Sequence, residues 1–391
     1  MSWRTTCPMN ERLKFIADWL KKEFPVTVLS CLYDISRKTA HKWIQRYKLK
    51  GLAGLEELDR APKTHPQATP EAIEKRVAAF RREKPSWGPR KLLHRLRIIE
   101  PRTIWPCAST VGAILKRHGL AKKRRLRCCV APSMTTLSVP QRPNDVWATD
   151  FKGWFRTLDH TRVDPLTTSD LASRFLLGCQ VLVKPTFESV RQGFEETFRT
   201  YGLPSVIRSD NGWPFASIGL GGLSRLSVWW IHLGIRPERT RPAHPEENGS
   251  HERMHRNYKQ DMTKPPKEDP AAQQVASDRF RREYNTERPH EALDMRTPRQ
   301  DYRLSPRPFP NRLPEIAYGK DVQVRQVRGD GRIKWQGDMV FVSEVLIDEP
   351  VGMVPLDDDL WTLYFGPIPL ALFDSRDKHF HKFERIRGKN V

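Results

Sequence analysis

Three acidic side chains stand in three short motifs whose residue types suit phosphodiester chemistry. Asp150 ends the run Val146-Trp147-Ala148-Thr149-Asp150-Phe151, and Asp210 follows Val206-Ile207-Arg208-Ser209 and precedes Asn211-Gly212. Glu252 lies in His244-Pro245-Glu246-Glu247-Asn248-Gly249-Ser250-His251-Glu252-Arg253. Two aspartates at the ends of apolar runs and a glutamate opening a helix can converge on one pair of Mg²⁺ ions. Such hard cations take oxygen ligands, and Mg²⁺ binds few carboxylates and keeps several waters. Two of them roughly 3.5–4 Å apart activate an attacking hydroxyl and stabilise the leaving oxygen of an in-line displacement. Asp150, Asp210 and Glu252 are therefore the candidate catalytic and metal-ligating residues, with two Mg²⁺ ions, or Mn²⁺ in their place.

The elements that must position them follow from pattern. Val146–Phe151, Arg174–Val183 and Ser205–Ser209 read as strands, and Ser189–Tyr201 as a helix whose Val190, Phe194, Thr197 and Phe198 share a face. This alternation predicts helices packed on a mixed sheet, with Asp150 and Asp210 at strand ends, where sites in such sheets gather. Asn248-Gly249 breaks the chain, and Ser250–Gln260 then reads as a helix with Glu252 in its first turn. Arg256 and Lys259 follow on the Glu252 face, suited to DNA phosphate; the alternative is an intrahelical Glu-Arg pair of little worth. Asp170 is a fourth acidic candidate, expected either to be structural or to support the ligands from behind. His244, His251 and His255 are expected to be DNA or structural contacts, since Mg²⁺ prefers oxygen.

Charge separates the chain into two parts. Residues 1–142 hold 31 Lys and Arg against 11 Asp and Glu, whereas residues 143–391 hold 37 against 35. A strongly basic third beside a near-neutral remainder reads as a nucleic-acid grip attached to another module. Within residues 11–50, Leu13, Ile16, Ala17 and Leu20 recur at helical spacing, Pro25 breaks that helix, and Val28, Leu29 and Leu32 carry a second. Ser36 is placed to cap a third over Arg37–Lys48. That helix turns Ala40, Trp43, Ile44 and Tyr47 inward and Arg37, Lys38, His41, Lys42, Gln45 and Arg46 outward, the polar face a recognition helix needs. An ordinary hairpin with a solvated face is the alternative, and the regional charge favours DNA. After a linker through Pro62 and Pro66, helices opening at Pro70-Glu71, Trp87 and Ser109 make a second helix-turn-helix. It ends at Gly119, and Lys122, Lys123, Arg124, Arg125 and Arg127 form a basic tether for phosphates.

The blocks also resemble a known family. Pro143–Asp150, Arg208–Gly212 with Pro214-Phe215, and His244–His255 are similar in order and spacing to the three motifs of DDE transposases with a retroviral-integrase-type core. Tyr284-Asn285-Thr286-Glu287-Arg288-Pro289-His290-Glu291-Ala292-Leu293 resembles the segment closing that core in bacterial insertion-sequence transposases. Trp87–Arg90 and Gly51–Leu55 resemble their N-terminal regions. The resemblance covers most of residues 10–305. It implies an RNase H-like fold, a two-metal DDE mechanism with Asp150, Asp210 and Glu252 as ligands, double-stranded DNA partners (transposon terminal repeats and target DNA) and a homo-oligomer. The family's usual second interval, 35 intervening residues, falls on Glu246, but the motif places the glutamate three residues after Gly249, at Glu252, with 41 intervening. Residues 218–225 read as a local insertion that lengthens the interval.

Pro306, Pro308, Pro310 and Pro314 mark a linker. Val322–Val327, Ile333–Trp335, Met339–Val342 and Leu360–Phe365 then read as short strands, with Asp330-Gly331 a hairpin signal, together suggesting a small β-barrel. The expected architecture is multidomain. An all-α tandem of helix-turn-helix units (1–60 and 67–130) precedes an α/β RNase H-like core (140–305) and a C-terminal barrel (315–391). No apolar run of about 18 residues spans a bilayer, and no signal peptide is evident. Six cysteines show no framework of spacings, which fits free thiols in a reducing, nucleoid-associated cytoplasmic setting. The rival functions are a DNA-binding regulator without catalysis and a plain RNase H-like nuclease.

Overall fold

The computed structural model describes residues 7–58, 68–121, 137–217, 219–240, 249–357 and 359–381. The chain divides into two units, Met1–Ala68 and Thr69–Val391.

In the first unit α1 (Pro8–Lys21), α2 (Val26–Leu32) and α3 (Arg37–Lys50) pack around Phe15, Ile16, Leu29, Ala40, Trp43, Ile44 and Leu55. Ser36 caps α3 as expected, its Oγ accepting the Thr39 N–H at 3.1 Å. Arg12, Lys42 and Arg46 stand 4.0, 4.7 and 5.1 Å from the centroid of the buried Trp43 ring. The apolar stripe is narrower than its spacing predicts: Leu20, Val28 and Leu32 are exposed. The seven-residue α2 buries only Leu29 and Ser30, and three short helices close over a core too small to reach the rest.

The second unit opens with α4 (Glu71–Glu83), α5 (Pro89–Ile99) and α6 (Ala108–Arg117), which close on Trp87, Leu92, Leu96, Val111 and Ile114. Gly119, at φ +69°, ends the last of them in the left-handed region that glycine tolerates.

The mixed sheet begins with β1 (Val146–Phe151), β2 (Phe155–Arg156), β3 (Arg162–Asp170) and β4 (Leu176–Leu182). It continues through α7 (Phe187–Tyr201), β5 (Val206–Ser209), α8 (Arg225–His232) and β6 (Arg236–Arg239). β1 runs antiparallel to β3 and parallel to β5, β3 antiparallel to β2 and β4, and β5 parallel to β6. The α/β expectation is met, but the longest strand, β3, was not expected. Pro165 and the polar run Thr167–Asp170 hide it, because Pro cannot donate to a ladder and is usually an edge residue. Aromatic residues of α7 and α8 fill one face around Trp147 and Ile207. The other face is covered by α9 (Gly249–Met262) and α10 (Pro270–Thr286) through Met254, Tyr258, Phe280 and Tyr284. The Asn285 amide pairs with both the N–H and the carbonyl of Leu176 at 2.8 and 2.9 Å, fastening α10 to β4. A short α11 (Pro298–Asp301) follows.

Asp170 is structural, as anticipated. It is fully buried and accepts from Asn144 N, Ser173 N and Ser173 Oγ at 2.8, 2.7 and 2.6 Å. Asn144 Oδ1 in turn accepts from Trp147 Nε1 and Tyr302 OH, so one node fixes the start of β1 and the end of β3.

The proline-rich segment is not a free linker. Phe309 stacks on Phe198, and the Arg307 carbonyl accepts the Leu203 N–H at 2.7 Å. The Arg307 guanidinium donates to the carbonyls of Pro204, Leu233 and Gly234. Prolines fix an extended strap here, and its intervening residues pack.

The C-terminal part is not a closed barrel. β7 (Gln323–Gln326), β8 (Arg332–Trp335), β9 (Asp338–Phe341), β10 (Pro350–Pro355), β11 (Leu360–Phe365), β12 (Ile368–Asp374) and β13 (His379–His381) form two open sheets. One is ordered β13-β12-β11-β10-β7 and the other pairs β8 with β9. The paired hairpin lies at Gln336-Gly337, both with positive φ, rather than at Asp330-Gly331, where a tight turn sends the chain into the other sheet. Closure is unnecessary because α8 covers the apolar face: Leu223, Val228 and Ile231 share one core with Val351, Met353, Leu363, Phe365 and Phe373.

Both ring nitrogens of His232, at the end of α8, face acceptors. Nε2 is 2.9 Å from the Glu349 carboxylate and Nδ1 2.8 Å from the Pro314 carbonyl. The Glu349 hydrogen bond, and then the carbonyl, raise the ring's pKa against an opposing effect of burial. A raised folded-state pKa gives stability that is full below the unfolded value near 6.5 and is lost as pH rises through the folded one. Wild type should therefore melt above His232→Gln at pH 5.5, and the gap should close as pH is raised toward 9 in paired thermal scans.

Candidate active site

β1 carries Asp150 near its end, and the chain leaving β5 carries Asp210 one residue past Ser209. Because β1 and β5 are parallel neighbours, these two carboxylates emerge at the same edge of the sheet. Asp210 Oδ1 accepts the Gly212 N–H at 3.1 Å, and a Cβ at Gly212 would itself sit 3.1 Å from Asp210 Oδ2. The Asp-Asn-Gly order thus leaves room for the carboxylate. Asn211 Nδ2 donates to the Thr240 carbonyl at 2.6 Å, holding that loop against β6. Glu252 lies in the first turn of α9, where the helix dipole favours an acid.

Asp150 senses the other two carboxylates. Burial pushes the Asp150 carboxyl up to about 7, and the negative charges of Asp210 and Glu252 add to the push, while the Phe151 N–H and Lys152 oppose it. Lys152 is half-buried, and its own pKa is lowered by burial and by Lys259. The site therefore collects three acids beside two lysines, of which sequence reasoning had found only Lys259.

Among the described residues, no set of three or more His, Cys, Asp and Glu side chains stands close enough together to hold a metal ion. Uncompensated carboxylates repel, and Mg²⁺ needs only one or two of them with waters filling its other positions. The donor set is all oxygen and electrostatically coupled, so by its chemistry it fits a hard divalent cation.

α9 is held to the sheet through buried polar groups. Thr167, opposite Asp150 in the β1–β3 register, has Oγ1 3.1 Å from the Asp150 carbonyl, 2.8 Å from His251 Nε2 and 2.6 Å from His255 Nε2. A hydroxyl offers one proton and two lone pairs. The set closes when Thr167 donates to the carbonyl and accepts from both rings, which places each ring proton on Nε2. His251 Nδ1 then accepts from Ser169 Oγ at 2.7 Å. Burial keeps both rings neutral, His251 pushed down to about 3 and His255 to about 2 with His251 and Lys152 contributing. The 3.7 Å approach of His255 Nδ1 to Asp150 Oδ2 is therefore not an ion pair. His251 and His255 are structural, as one of the two sequence readings had it. Thr167 and Ser169 went unrecognised; the signal was the pair of histidines at i and i+4 on the inner face of a helix whose outer face carries Glu252, Arg256 and Lys259.

Those three side chains are all exposed. On α3, Arg37, Lys38, His41, Lys42 and Gln45 are exposed and Arg46 is half-buried against Trp43. Lys122, Lys123, Arg124, Arg125 and Arg127 lie outside the described residues, as do His244 and Glu246.

Comparison with known proteins gives the class. Two models described as integrase core domain match residues 140–245 and 233–298. A helix-turn-helix domain model matches residues 11–63, and a homeodomain-like domain model matches 39–115. The chain thus carries helix-turn-helix domains followed by an integrase core. Over 72 residues it is 40% identical to the Gag-Pol polyprotein of baboon endogenous virus (strain M7) and 42% identical to the Pol polyprotein of feline endogenous virus ECE1. These stretches are 18% of this chain but only 4% and 6% of those polyproteins. Among solved structures, the HTLV-2 integrase catalytic core in complex with magnesium is 17% identical, with a TM-score of 0.31, over 42% of this chain and 99% of that one. A simian T-cell lymphotropic virus intasome in complex with a PP2A regulatory subunit, B56 gamma, is 16% identical, with a TM-score of 0.35, over 75% of this chain and 98% of that one. No helix among the described residues is long and apolar enough to cross a membrane.

Replacing Thr167 by Val should leave both Nε2–H groups buried without an acceptor. Each such loss costs roughly 1–3 kcal/mol, so the variant should unfold at clearly lower denaturant than wild type; an unchanged midpoint would refute the clamp.

Proposed function

We propose that this protein is a DDE transposase of the insertion-sequence type. It would bind transposon ends through its helix-turn-helix domains, cut them and join them to target DNA through an RNase H-like core. The observation that carries this reading is that Asp150 and Asp210 leave parallel neighbouring strands at the same end of the sheet, where burial first and then the charges of Asp210 and Glu252 push the Asp150 carboxyl up. Asp150, Asp210 and Glu252 would hold two Mg²⁺ ions. When bound, these supply the Lewis acidity that activates water, later the freed 3′-hydroxyl, and stabilises the departing oxygen. The rest falls to the chain itself. The Thr167–His251–His255 clamp fixes α9 and would keep Glu252 at a constant spacing from Asp150. The exposed Arg256 and Lys259 on that same helix offer positive charge to the phosphates flanking the reacting one. Lys152 partly offsets the negative charge of Asp150. Arg37, Lys38, His41, Lys42, Gln45 and Arg46 on α3 would enter the major groove. Pairing two DNA ends calls for a homo-oligomer.

A regulator without catalysis would have no use for two acids at one end of the sheet with a third, on α9, adding its charge to theirs, and a plain nuclease no use for helix-turn-helix domains.

Asp150→Asn and Glu252→Gln should each abolish Mg²⁺-dependent cleavage and joining of end DNA while leaving binding intact, and Glu246→Gln should stay active. Activity in Glu252→Gln together with its loss in Glu246→Gln would reassign the third acid.

DNA affinity should also fall steeply with salt, the slope of log K against log salt being about 0.9 per phosphate contacted. Anisotropy titrations between 50 and 200 mM salt check this, and a flat response would count against a phosphate-based grip.

A further inference from the structure

A second polar pocket lies on the far side of α9 from the Thr167 clamp. Its volume is 450 Å³, inside the roughly 300–1,000 Å³ typical of small-ligand sites. Lys91 of α5, Arg174 ahead of β4, Arg253 of α9 and Arg288 after α10 line it, and among the described residues the only lining carboxylate is Glu291. The side chains of Lys91, Arg174 and Arg253 make no hydrogen bond or ion pair among the described residues. Arg288 is 5% exposed; its Nη atoms reach Ser86 and Asn257, but its Nε, buried, has no partner. His290 Nε2, at the same pocket, is also buried and unpartnered.

The cations strain one another. Burial lowers the Lys91 pKa to about 8, with Arg288 and Arg253 adding to it and Glu291 opposing. Burial and Arg253 depress Arg174, and burial with Lys91, Arg288 and Arg174 pushes His290 down to about 3. Crowded cations that are only partly offset by Glu291, and by Asp261 and Glu283 beside Arg288, are costly to desolvate, and an anion repays part of that cost. Gly249 and Ser250, in the first turn of the fourteen-residue α9, also line the pocket, where helix N–H groups lack intrahelical acceptors. Guanidinium forks and a helix N-terminus are the donors that phosphate oxygens prefer.

We propose that this pocket is a phosphate-binding site, separate from the carboxylate cluster, that takes a backbone phosphate of bound DNA. The phosphate chemistry stands on the pocket alone, and the DNA source rests on the function proposed above. Lys91 belongs to the helical unit before the core and Arg253 adjoins Glu252, so one phosphate would bridge that unit to the helix bearing the third acid.

The test uses the full chain and the double variant Lys91→Gln/Arg174→Gln. In one arm, inorganic phosphate replaces chloride at constant ionic strength and the melting midpoint is followed. In the other, duplex DNA affinity is measured against salt. The expected result is a phosphate-induced rise in wild type that the double variant lacks, with a salt slope lower by about 1 in the variant. Loss of the phosphate effect with an unchanged DNA slope would overturn DNA as the source and leave a site for free phosphate. No difference in either arm would overturn the site. Failure of wild type to bind DNA would sink the proposed function, and the phosphate arm would still decide the pocket. Because the substitutions relieve repulsion, the double variant should melt no lower than wild type in chloride. Should it misfold, the exposed Arg253→Gln gives the same two readouts.

Discussion

One hydroxyl, that of Thr167, carries much of the placement of the sheet-edge site. It is paired across the β1–β3 ladder with Asp150, and its three partners are the Asp150 carbonyl and the two histidines of α9. The strand that bears the first acid and the helix that bears Glu252 are thus referenced to a single atom. A buried polar node of this kind is stringent, because each missing partner leaves a desolvated group unpaired. An apolar contact would hold the helix but would tolerate sliding, and a metal ligand on a sliding helix is a poor ligand.

Electrostatics is divided between two faces of α9. On one, burial and then the charges of Asp210 and Glu252 raise Asp150, with Lys152 as a partial counterweight. On the other, Lys91, Arg174, Arg253 and Arg288 crowd together with little acid nearby. The same helix therefore separates an excess of negative charge from an excess of positive charge. Neither excess is visible in the residue totals, since residues 143–391 are close to neutral as a whole.

Much of this was legible from sequence, for identifiable reasons. α3 has a clear cap in Ser36, α3, α7 and α9 have helical periodicity, and β1 and β5 are short apolar runs before acids. β3 escaped because its inward residues are threonines and serine, which look like a loop until their histidine partners on α9 are in place. The strap around Phe309 escaped because proline content suggests a linker, whereas its burial depends on Phe198 and Trp229, distant in sequence. The C-terminal strands were read as a barrel because a run of short strands gives no sign that a helix from elsewhere covers their open side. Lys152, Thr167 and Ser169 carried no local motif, and their importance emerges only from the β1–β3 register.

That shared helix has a consequence for how the chain can be divided. Val228 and Ile231 of α8 belong to the same apolar core as the C-terminal sheets, while Trp229 and Trp230 of the same helix fill the core of the central sheet. A fragment cut after residue 305 would leave a naked apolar stripe along α8, and the excised sheets would have an uncovered face. Each piece would be prone to self-association. The C-terminal sheets are therefore not a detachable appendage that could be traded between related chains by recombination at a loop. Exchange at this end would have to bring a matching α8 with it.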